Sequence, residues 1–195
     1  DPRIFNGDAR ERTRTELGLE PHTQAILFAG ANQARKGADI IPIVIARLLN
    51  SPESERYRFL FLGGLPPTLA VGKHVVELAR STNEERVASY YAASDLYALP
   101  SLEDNLPNTI SESLNCGTPV AAFPTGGIVE MVQEGLNGAL STDHKASSFQ
   151  DAILRALAPL SWSRSAIAHA ARETYAPSVV ATAYQVAFQK LLAAS

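Results

Sequence analysis

Short apolar runs alternate with amphipathic stretches along most of this chain, and this alternation restricts the possible folds more than any other feature. An apolar run of about five residues bounded by polar residues or glycines predicts a buried strand. Such runs occur at residues 25–29, 57–62, 74–78, 95–99 and 118–123. The stretches between them space their apolar residues for one helix face, at residues 39–50, 83–93, 108–115 and 127–133. Strands that alternate with helices predict a doubly wound α/β domain, in which five or six parallel strands carry helices on both faces.

The two ends of the chain depart from this pattern. Residues 1–23 are polar and rich in arginine and glutamate, with a helix predicted to end at Gly18. From residue 145 to residue 195 the pattern is helical, with breaks near Pro159 and Pro177. We therefore predict a single domain over residues 1–195 with a helical C-terminal segment. Because the sequence starts at Asp1 and has no signal-like apolar stretch, we expect it to be a piece of a longer protein.

Composition excludes several classes of protein. With 46% hydrophobic and 19% charged residues, the 195-residue chain can form a core and is not expected to be disordered. The net charge of −3 argues against nucleic acid as the main partner, and no apolar run reaches the roughly 18 residues of a membrane span. The single cysteine, Cys116, can form neither an internal disulfide nor a cysteine-based metal site. The four histidines are scattered, without the spacing of a metal site.

Parallel α/β sheets bind ligands beyond the carboxyl ends of their strands. The candidate loops follow Gly30, Gly63, Leu78 and Leu99. In the first of them, within residues 28–39 (FAGANQARKGAD), Arg35 and Lys36 stand where a strand leads into a helix. Two cations near free backbone donors suit a diphosphate. The alternative is a basic loop that is simply solvated at the surface.

A second segment, residues 99–120 (LPSLEDNLPNTISESLNCGTPV), combines acidic residues with the predicted start of a helix. The first N–H groups of a helix lack internal partners and carry the positive end of its dipole. Glu112 lies about one turn inside this helix and eight positions beyond Asp104. Because the apolar positions of the helix point to the core, the Glu112 carboxylate can face a cleft. The alternative is structural, since Thr109-x-x-Glu112 has the spacing of a capping box, and spacing alone favours it.

Taken together, these segments resemble the C-terminal, donor-binding half of retaining GT-B glycosyltransferases of the large family 4 type. The resemblance covers roughly residues 1–140, beginning with an Asp-x-x-x-Phe element similar to the inter-domain junction of the family, within residues 1–23. It continues through the Lys-Gly loop, Pro-Ser, Glu-x-x-x-Cys-Gly-Thr-Pro-Val and Gly-Gly-x-x-Glu, in consistent order. These motifs are specific in combination and weak alone. They imply a Rossmann-like fold that binds a nucleoside diphosphate sugar.

By this resemblance, Lys36 corresponds to the lysine with which the family contacts the donor diphosphate. The usual family arginine after the strand-ending glycine is replaced by Ala31, and Arg35 is the candidate for the missing charge. The paired glutamates of the family correspond to Asp104 and Glu112, so the first acid is shortened to aspartate. Asp104 is implied to contact the donor sugar, and Glu112 to accept hydrogen bonds from both ribose hydroxyls.

The loop between the two acids departs from the glycine-rich form of the family, because Asn105, Leu106 and Pro107 stand there instead. Proline has no N–H to donate. Donation to the sugar or to the β-phosphate is therefore expected from Asn105, Leu106 or the helix start at Asn108 and Thr109.

The reaction implied by the resemblance is sugar transfer from a nucleoside diphosphate to an acceptor, with retention at the anomeric carbon. Lys36 and Asp104 are the residues expected to act in it, and Lys36, Arg35 and the helix start stabilise charge on the leaving diphosphate. No Asp-x-Asp motif is present, so we expect no metal and no other cofactor. Asp104 and Glu112 resemble binding groups rather than the acid/base pair of a glycosidase.

The enzymes of this family bind a saccharide or lipid-linked acceptor on an N-terminal domain that these 195 residues do not contain. We therefore expect the chain to bind nucleotide without turnover, and the full enzyme to be cytoplasmic or peripheral at the inner membrane face. The apolar positions of residues 178–192 predict a helix that turns toward the missing domain or leaves a patch for self-association. Two other interpretations stay open, a nucleotide-sugar epimerase-like or phosphorylase-like domain and a flavodoxin-like binding or regulatory module.

Overall fold

The computed structural model of the chain describes residues 1–158 and 163–193. Within them, six strands form one parallel sheet in the order β3-β2-β1-β4-β5-β6. The strands are β1 (Gln24–Ala29), β2 (Tyr57–Leu62), β3 (Val75–Leu78), β4 (Leu96–Leu99), β5 (Val120–Ala122) and β6 (Gly138–Leu140). The chain adds β2 and β3 on one side of β1. It then crosses to the other side, where β4 pairs with β1 and β5 and β6 follow. This confirms the doubly wound arrangement that the alternation predicts.

Helices cover both faces of this sheet. Those in the described residues are α1 (Arg10–Glu16), α2 (Ile40–Leu49), α3 (Glu84–Ala93), α4 (Asn108–Asn115), α5 (Ile128–Met131), α6 (Ala146–Leu157), α7 (Arg164–Tyr175) and α8 (Pro177–Ala193). The core on one face lies under α3, α4, α5 and α7, with α1 packed against α3. The core on the other face lies under α2 and α6.

Residues of β1 alternate between the two cores. Ala25 and Leu27 belong to the core under α3 and α4, whereas Ile26 and Phe28 belong to the core under α2 and α6. All four are buried. A parallel strand covered on both faces therefore shows a continuous apolar run rather than alternation, which is why the run is so clear in the sequence.

Element boundaries differ from the expected ones where strands and helices are short. The run over residues 118–123 forms a strand only over Val120–Ala122, and the helix predicted over residues 127–133 ends at Met131. Strand β6 has no counterpart among the five apolar runs, because three residues that include a glycine carry too little apolar periodicity. A Cβ on Gly138 would lie 2.0 Å from the Val120 carbonyl oxygen, so glycine permits this strand pairing.

The ends of the chain are helical as predicted. Helix α1 is followed by Gly18 at a φ of +64°, which confirms the expected end of the first helix. Helix α7 ends just before Pro177, where α8 begins, so the second predicted break is confirmed. The first predicted break, near Pro159, lies outside the described residues.

At the amino edge of the sheet, three arginines surround the carboxyl end of α3. Arg10 and Arg14 of α1 both pair with Asp95, and the distance from Arg14 Nη1 to Asp95 Oδ2 is 3.0 Å. Arg164 of α7 donates to the Ser94 carbonyl oxygen at 2.9 Å. Carbonyl groups at a helix end are unpaired and carry negative partial charge, which cations stabilise. This arginine cluster joins α1 and α7 to the centre of the domain.

Helix α8 packs against α7 and leaves large apolar side chains exposed. They include Val179, Val180, Tyr184, Val186 and Phe188. The apolar patch expected from residues 178–192 is therefore present. Within residues 1–158 and 163–193, no helix combines the length and the apolarity needed to span a bilayer.

Candidate functional site

The carboxyl edge of the sheet has its topological switch point between β1 and β4. The chain leaves β1 toward β2 on one side, and leaves β4 toward β5 on the other. Connections that diverge in this way form a crevice beyond the strand ends, where open α/β sheets bind their ligands. The predicted site residues lie on these two connections, in the loop over residues 30–39 and in the loop over residues 100–107 with helix α4 after it.

The loop after β1 carries Arg35 and Lys36 on a single turn of 3-10 helix that leads into Gly37. Gly37 has a φ of +81°, and a Cβ there would lie 2.4 Å from the Pro100 carbonyl oxygen. Only glycine allows the two loops to approach this closely. The Leu102 N–H also donates to the Arg35 carbonyl oxygen at 2.8 Å. The backbone of the basic loop is therefore packed against the loop after β4, and is not simply solvated.

Lys36 and Asp104, 68 positions apart in the sequence, form an ion pair at the switch point. The distance from Lys36 Nζ to Asp104 Oδ2 is 2.5 Å, and the two side chains are only 12% and 13% exposed. A charge-assisted hydrogen bond shielded from water in this way is strong. The structure thus brings together the two residues expected to act in the reaction, while the Arg35 side chain stays exposed.

The turn after β5 holds the loop between the two acids from its other side. Gly126 has a φ of +51°, and a Cβ there would lie 2.1 Å from the Asp104 carbonyl oxygen. The Gly127 N–H donates to the Asn105 carbonyl oxygen at 2.6 Å. The side chains of Asn105 and Leu106 are nevertheless exposed. The backbone of this loop is therefore anchored while its side chains stay accessible.

Helix α4 starts without a side-chain cap. Its N-cap is Pro107, and Thr109 lies inside the first turn. The capping box that spacing alone favours is therefore wrong. The Ile110 N–H bonds to the Pro107 carbonyl oxygen at 3.1 Å, and the N–H groups of Asn108 and Thr109 precede it at the positive end of the helix dipole. A helix start of this kind can bind phosphate.

Glu112 lies on the second turn of α4 and is half-buried against α3. Tyr91 is a buried residue of the neighbouring helix α3, and the Glu112 charge raises the pKa of Tyr91, which burial has already raised. Burial raises the pKa of Glu112, because it removes water from the ionised form. The neighbouring Tyr91 hydroxyl lowers the pKa of Glu112 in part, and the Glu84 charge raises it. The Glu112 carboxylate is therefore partly shielded from water and has lone pairs that can accept hydrogen bonds.

A second buried tyrosine, Tyr97 of β4, joins the surroundings of the two acids. Its ring meets the Tyr91 ring edge-on, with centroids 5.4 Å apart at 87°. Burial raises the pKa of Tyr97, the neighbouring Thr109 hydroxyl lowers it, and the charges of Glu112 and Asp104 raise it further. Both acids therefore lie within electrostatic reach of one buried hydroxyl.

Sequence reasoning misses Tyr91 and Tyr97 as buried neighbours of the candidate site, because aromatic residues at buried positions are expected to be core. The signal that could have found them is the presence of tyrosine at buried positions, where phenylalanine would fill the same space without a hydroxyl. A buried hydroxyl favours a polar neighbour, and among the described residues the Tyr97 hydroxyl has no hydrogen-bond partner.

The sheet order and the basic loop at the switch point define a Rossmann-type α/β domain with its ligand site at the carboxyl edge. The family model described as "Glycosyl transferases group 1" matches residues 23–159, and the chain belongs to this family. It is similar to the D-inositol 3-phosphate glycosyltransferase of Nocardiopsis dassonvillei, at 30% identity over 188 residues. That match covers 89% of this chain and 44% of the relative, so the chain spans less than half the length of that relative.

Solved structures share the fold. Sucrose-phosphate synthase from Thermosynechococcus elongatus superimposes with a TM-score of 0.78 at 24% identity, over all of this chain and 51% of that one. The Anabaena protein HepE, solved in complex with UDP-glucose, superimposes with a TM-score of 0.76 at 20% identity, over all of this chain and 56% of that one. The fold is that of the C-terminal domain of GT-B glycosyltransferases.

Proposed function

We propose that this chain is the donor-binding domain of a retaining glycosyltransferase, which transfers a sugar from a nucleoside diphosphate to a saccharide or lipid-linked acceptor. The observation that carries the proposal is the shielded Lys36–Asp104 ion pair at the switch point. The Asp104 partner lies in the loop that leads into the uncapped start of α4. A cation, free N–H groups and an acid are the groups that a diphosphate sugar needs. Membership of the glycosyltransferase family and the likeness of fold to a protein solved with UDP-glucose agree with this proposal.

In this proposal the diphosphate is bound by Lys36, Arg35 and the start of α4. Lys36 exchanges its bond to Asp104 for a bond to a phosphate oxygen when the donor enters. As the bond between the anomeric carbon and the phosphate oxygen breaks, negative charge grows on the leaving diphosphate. Cations and N–H groups that are already in place stabilise this charge without reorganisation. The exposed Arg35 supplies the second cation.

The two acids bind hydroxyls of the donor. Asp104, released from Lys36, accepts hydrogen bonds from the sugar, and Glu112 accepts them from both ribose hydroxyls. Each charged hydrogen bond contributes about 1.5–3 kcal/mol, which is enough to select a ribonucleotide over an analogue without the diol. Further N–H donors to the sugar or the β-phosphate come from Asn105, Leu106, Asn108 and Thr109.

The remaining parts of the reaction are proposed to lie on the rest of a longer protein, because the chain spans 44% of the relative described above. An N-terminal domain there binds the acceptor, so the isolated chain binds nucleotide and transfers no sugar. The exposed apolar side of α8 turns toward that domain and favours self-association when the domain is absent. The buried free thiol of Cys116 suits the reducing cytoplasm, or the inner face of the membrane.

Calorimetric titration of the chain with UDP, GDP and ADP tests the proposal. We expect at least one of them to bind, and Lys36→Met to weaken that binding about tenfold to a hundredfold through the lost charged hydrogen bond. Lys73→Met is the matched control, because Lys73 pairs with Glu55 on the exposed surface. Absence of binding by all three nucleotides at millimolar concentration, or equal affinity of the two lysine variants, contradicts the proposal.

A further inference from the structure

A continuous line of hydrogen bonds joins the loops beyond the carboxyl ends of β6, β5, β4 and β1. It begins at the exposed His144, in the loop after β6, whose Nε2 lies 2.9 Å from the Thr125 hydroxyl oxygen. Thr125 lies in the turn after β5, and its hydroxyl oxygen is 2.8 Å from the Ser101 carbonyl oxygen, in the loop after β4. We call this line, from His144 through Thr125 and Ser101 to the loop after β1, the loop relay.

Beyond Ser101 the loop relay continues through two peptide groups. The peptide group that follows Ser101 donates through the Leu102 N–H to the Arg35 carbonyl oxygen at 2.8 Å. The peptide group that follows Arg35 donates in turn through the Lys36 N–H to the Gln33 carbonyl oxygen at 2.9 Å. Because each group accepts on one side and donates on the other, the bonds polarise and strengthen one another. The relay thus reaches the peptide group between the two cations proposed to bind the diphosphate.

The carbonyl oxygen of Ser101 fixes the direction of the bonds that lead to it. A carbonyl oxygen can only accept, so the single proton of the Thr125 hydroxyl is donated to Ser101. The Thr125 oxygen can then only accept from the imidazole, so Nε2 of His144 carries a hydrogen. This proton is assigned by elimination within the hydrogen-bond network. In the neutral ring, Nδ1 of His144 is therefore the nitrogen without a proton.

His144 is held in place although it is exposed. The Asp143 carboxylate accepts from the Lys145 N–H at 3.0 Å, so a turn closed by a side chain spans His144. The imidazole ring also meets the buried Phe123 ring, with centroids 4.9 Å apart and 69° between the planes. A donor fixed by its backbone and by a ring contact is already oriented toward Thr125.

We propose that His144 and Thr125 are positioning residues of the nucleotide site, which hold the backbone at Arg35 and Lys36 in the form that binds the diphosphate. The inference rests on the proposed function, because that function assigns the two cations to the diphosphate. A loop that is already in place loses less conformational entropy when its ligand binds. Ser101 is fully buried, and a buried carbonyl oxygen that loses its donor is costly.

The direction of the loop relay is tested first, on the unaltered chain. Long-range proton–nitrogen NMR correlation distinguishes the protonated nitrogen of an imidazole from the unprotonated one. We expect the proton of neutral His144 on Nε2. A proton on Nδ1 instead would require Thr125 to donate to His144 and to lose its bond to Ser101. That result overturns the inference while the donor site stands.

Two pairs of variants then test the positioning role. A glutamine side chain places an N–H near the position of the imidazole Nε2, whereas asparagine reaches only as far as Nδ1. His144→Gln should therefore keep the loop relay and His144→Asn should break it, although both remove the ring contact with Phe123. In the same way, Thr125→Ser keeps the hydroxyl, and Thr125→Val removes it at nearly equal size.

The nucleotide probe is the tightest binder among UDP, GDP and ADP, measured by calorimetry. We expect His144→Asn and Thr125→Val to weaken it roughly three- to tenfold. His144→Gln and Thr125→Ser should bind it within about twofold of the unaltered chain. In NMR without nucleotide, the Leu102 amide proton should move upfield in the two weakened variants, because its bond to Arg35 loses polarisation, and should stay in place in the conservative ones.

The outcomes separate this inference from the proposed function. Equal affinities of His144→Asn and His144→Gln, or a Leu102 amide proton that does not move, overturn the positioning role while the donor site stands. Because His144 is exposed, its two variants decide this even if Thr125→Val does not fold. If the unaltered chain binds none of the three nucleotides, the proposed function fails and the positioning role fails with it.

Discussion

The two edges of the parallel sheet hold their charges in different ways. At the amino edge, the arginine cluster of Arg10, Arg14 and Arg164 directs its guanidinium groups at Asp95 and at backbone carbonyl oxygens. At the carboxyl edge, Lys36 bonds to one acid, Asp104, in a loop whose neighbouring helix start has no side-chain cap. Both groups of charges are shielded from water, but they differ in how many of their hydrogen-bonding positions are occupied.

This difference separates charges that stabilise the fold from charges that can bind a ligand. Burial lowers the pKa of Arg164 to about 10, with Arg10 lowering and Asp95 raising it, so Arg164 stays charged at neutral pH. A cation whose N–H groups already donate to several carbonyl oxygens gains little free energy from binding a ligand. Lys36 can instead exchange one partner for another. Burial alone therefore does not identify a functional charge, whereas the number of its fixed partners does.

The largest expected effect is at the amino edge. Arg14→Met should lower the free energy of unfolding by about 3–5 kcal/mol, because it removes a buried partner of Asp95 and the donors to several carbonyl oxygens. Arg12→Met is the control, since Arg12 lies on the same helix with 75% of its side chain exposed, and it should change stability by less than about 1 kcal/mol. Urea unfolding measures both variants.

The comparison of the two edges also predicts what Arg14→Met leaves intact. At a temperature where the variant is folded, its nucleotide affinity should equal that of the unaltered chain. A loss of affinity larger than the loss of folded protein would show that the amino edge acts on the site, and the separation argued above would fail.

The second-largest expected effect comes from substitutions that disturb the packing that supports Lys36 and Asp104. Gly126→Ala and Gly135→Ala both place a Cβ at a positive φ, +51° and +76°, which costs about 1–2 kcal/mol of stability. Only at Gly126 would the new atom overlap the Asp104 carbonyl oxygen, whereas Gly135 has nothing within 4 Å. We therefore expect Gly126→Ala to be the less stable variant in thermal unfolding and to lose most nucleotide affinity. Equal affinities would mean that the turn after β5 does not position the loop.

Much of the fold could be predicted because its elements have local signals. The apolar runs of β1 and β2 are continuous since both faces of the sheet are covered. Strand β6 has no such signal, because its three residues pair only after β5 is in place and its glycine is there for close approach. Boundaries of short elements depend on tertiary packing, which no window of sequence contains.

The sequence could nominate residues for the candidate site but could not predict their arrangement. Motifs pointed to Lys36, Asp104 and Glu112, yet the ion pair between the first two depends on how two glycines let three loops approach one another. The capping box was the better guess from spacing because the helix start cannot be placed to within one residue from sequence. Starting α4 two residues later would have made Thr109 the N-cap instead of Pro107.

The smallest expected effect distinguishes a functional acid from a structural one. The pKa of Glu112 is raised in the folded chain, so the folded state binds this proton more tightly than the unfolded state. Stability therefore falls as pH rises from the unfolded pKa through the folded one, and the ionised acid destabilises the fold at neutral pH. Glu112→Gln should raise the melting temperature slightly at pH 7.5, and the difference should shrink toward zero as the pH falls below the unfolded pKa, where the acid becomes protonated in both states. The same variant should weaken nucleotide binding roughly tenfold at pH 7.5.

The matched change at the amino edge is Asp95→Asn, which should lower the melting temperature and leave nucleotide affinity unchanged. Asp95 is paired with Arg10 and Arg14, so its loss lowers stability without a direct effect on the nucleotide. If Glu112→Gln instead lowers the melting temperature at pH 7.5, then Glu112 stabilises the fold as Asp95 does, and the two edges of the sheet no longer differ in the way proposed.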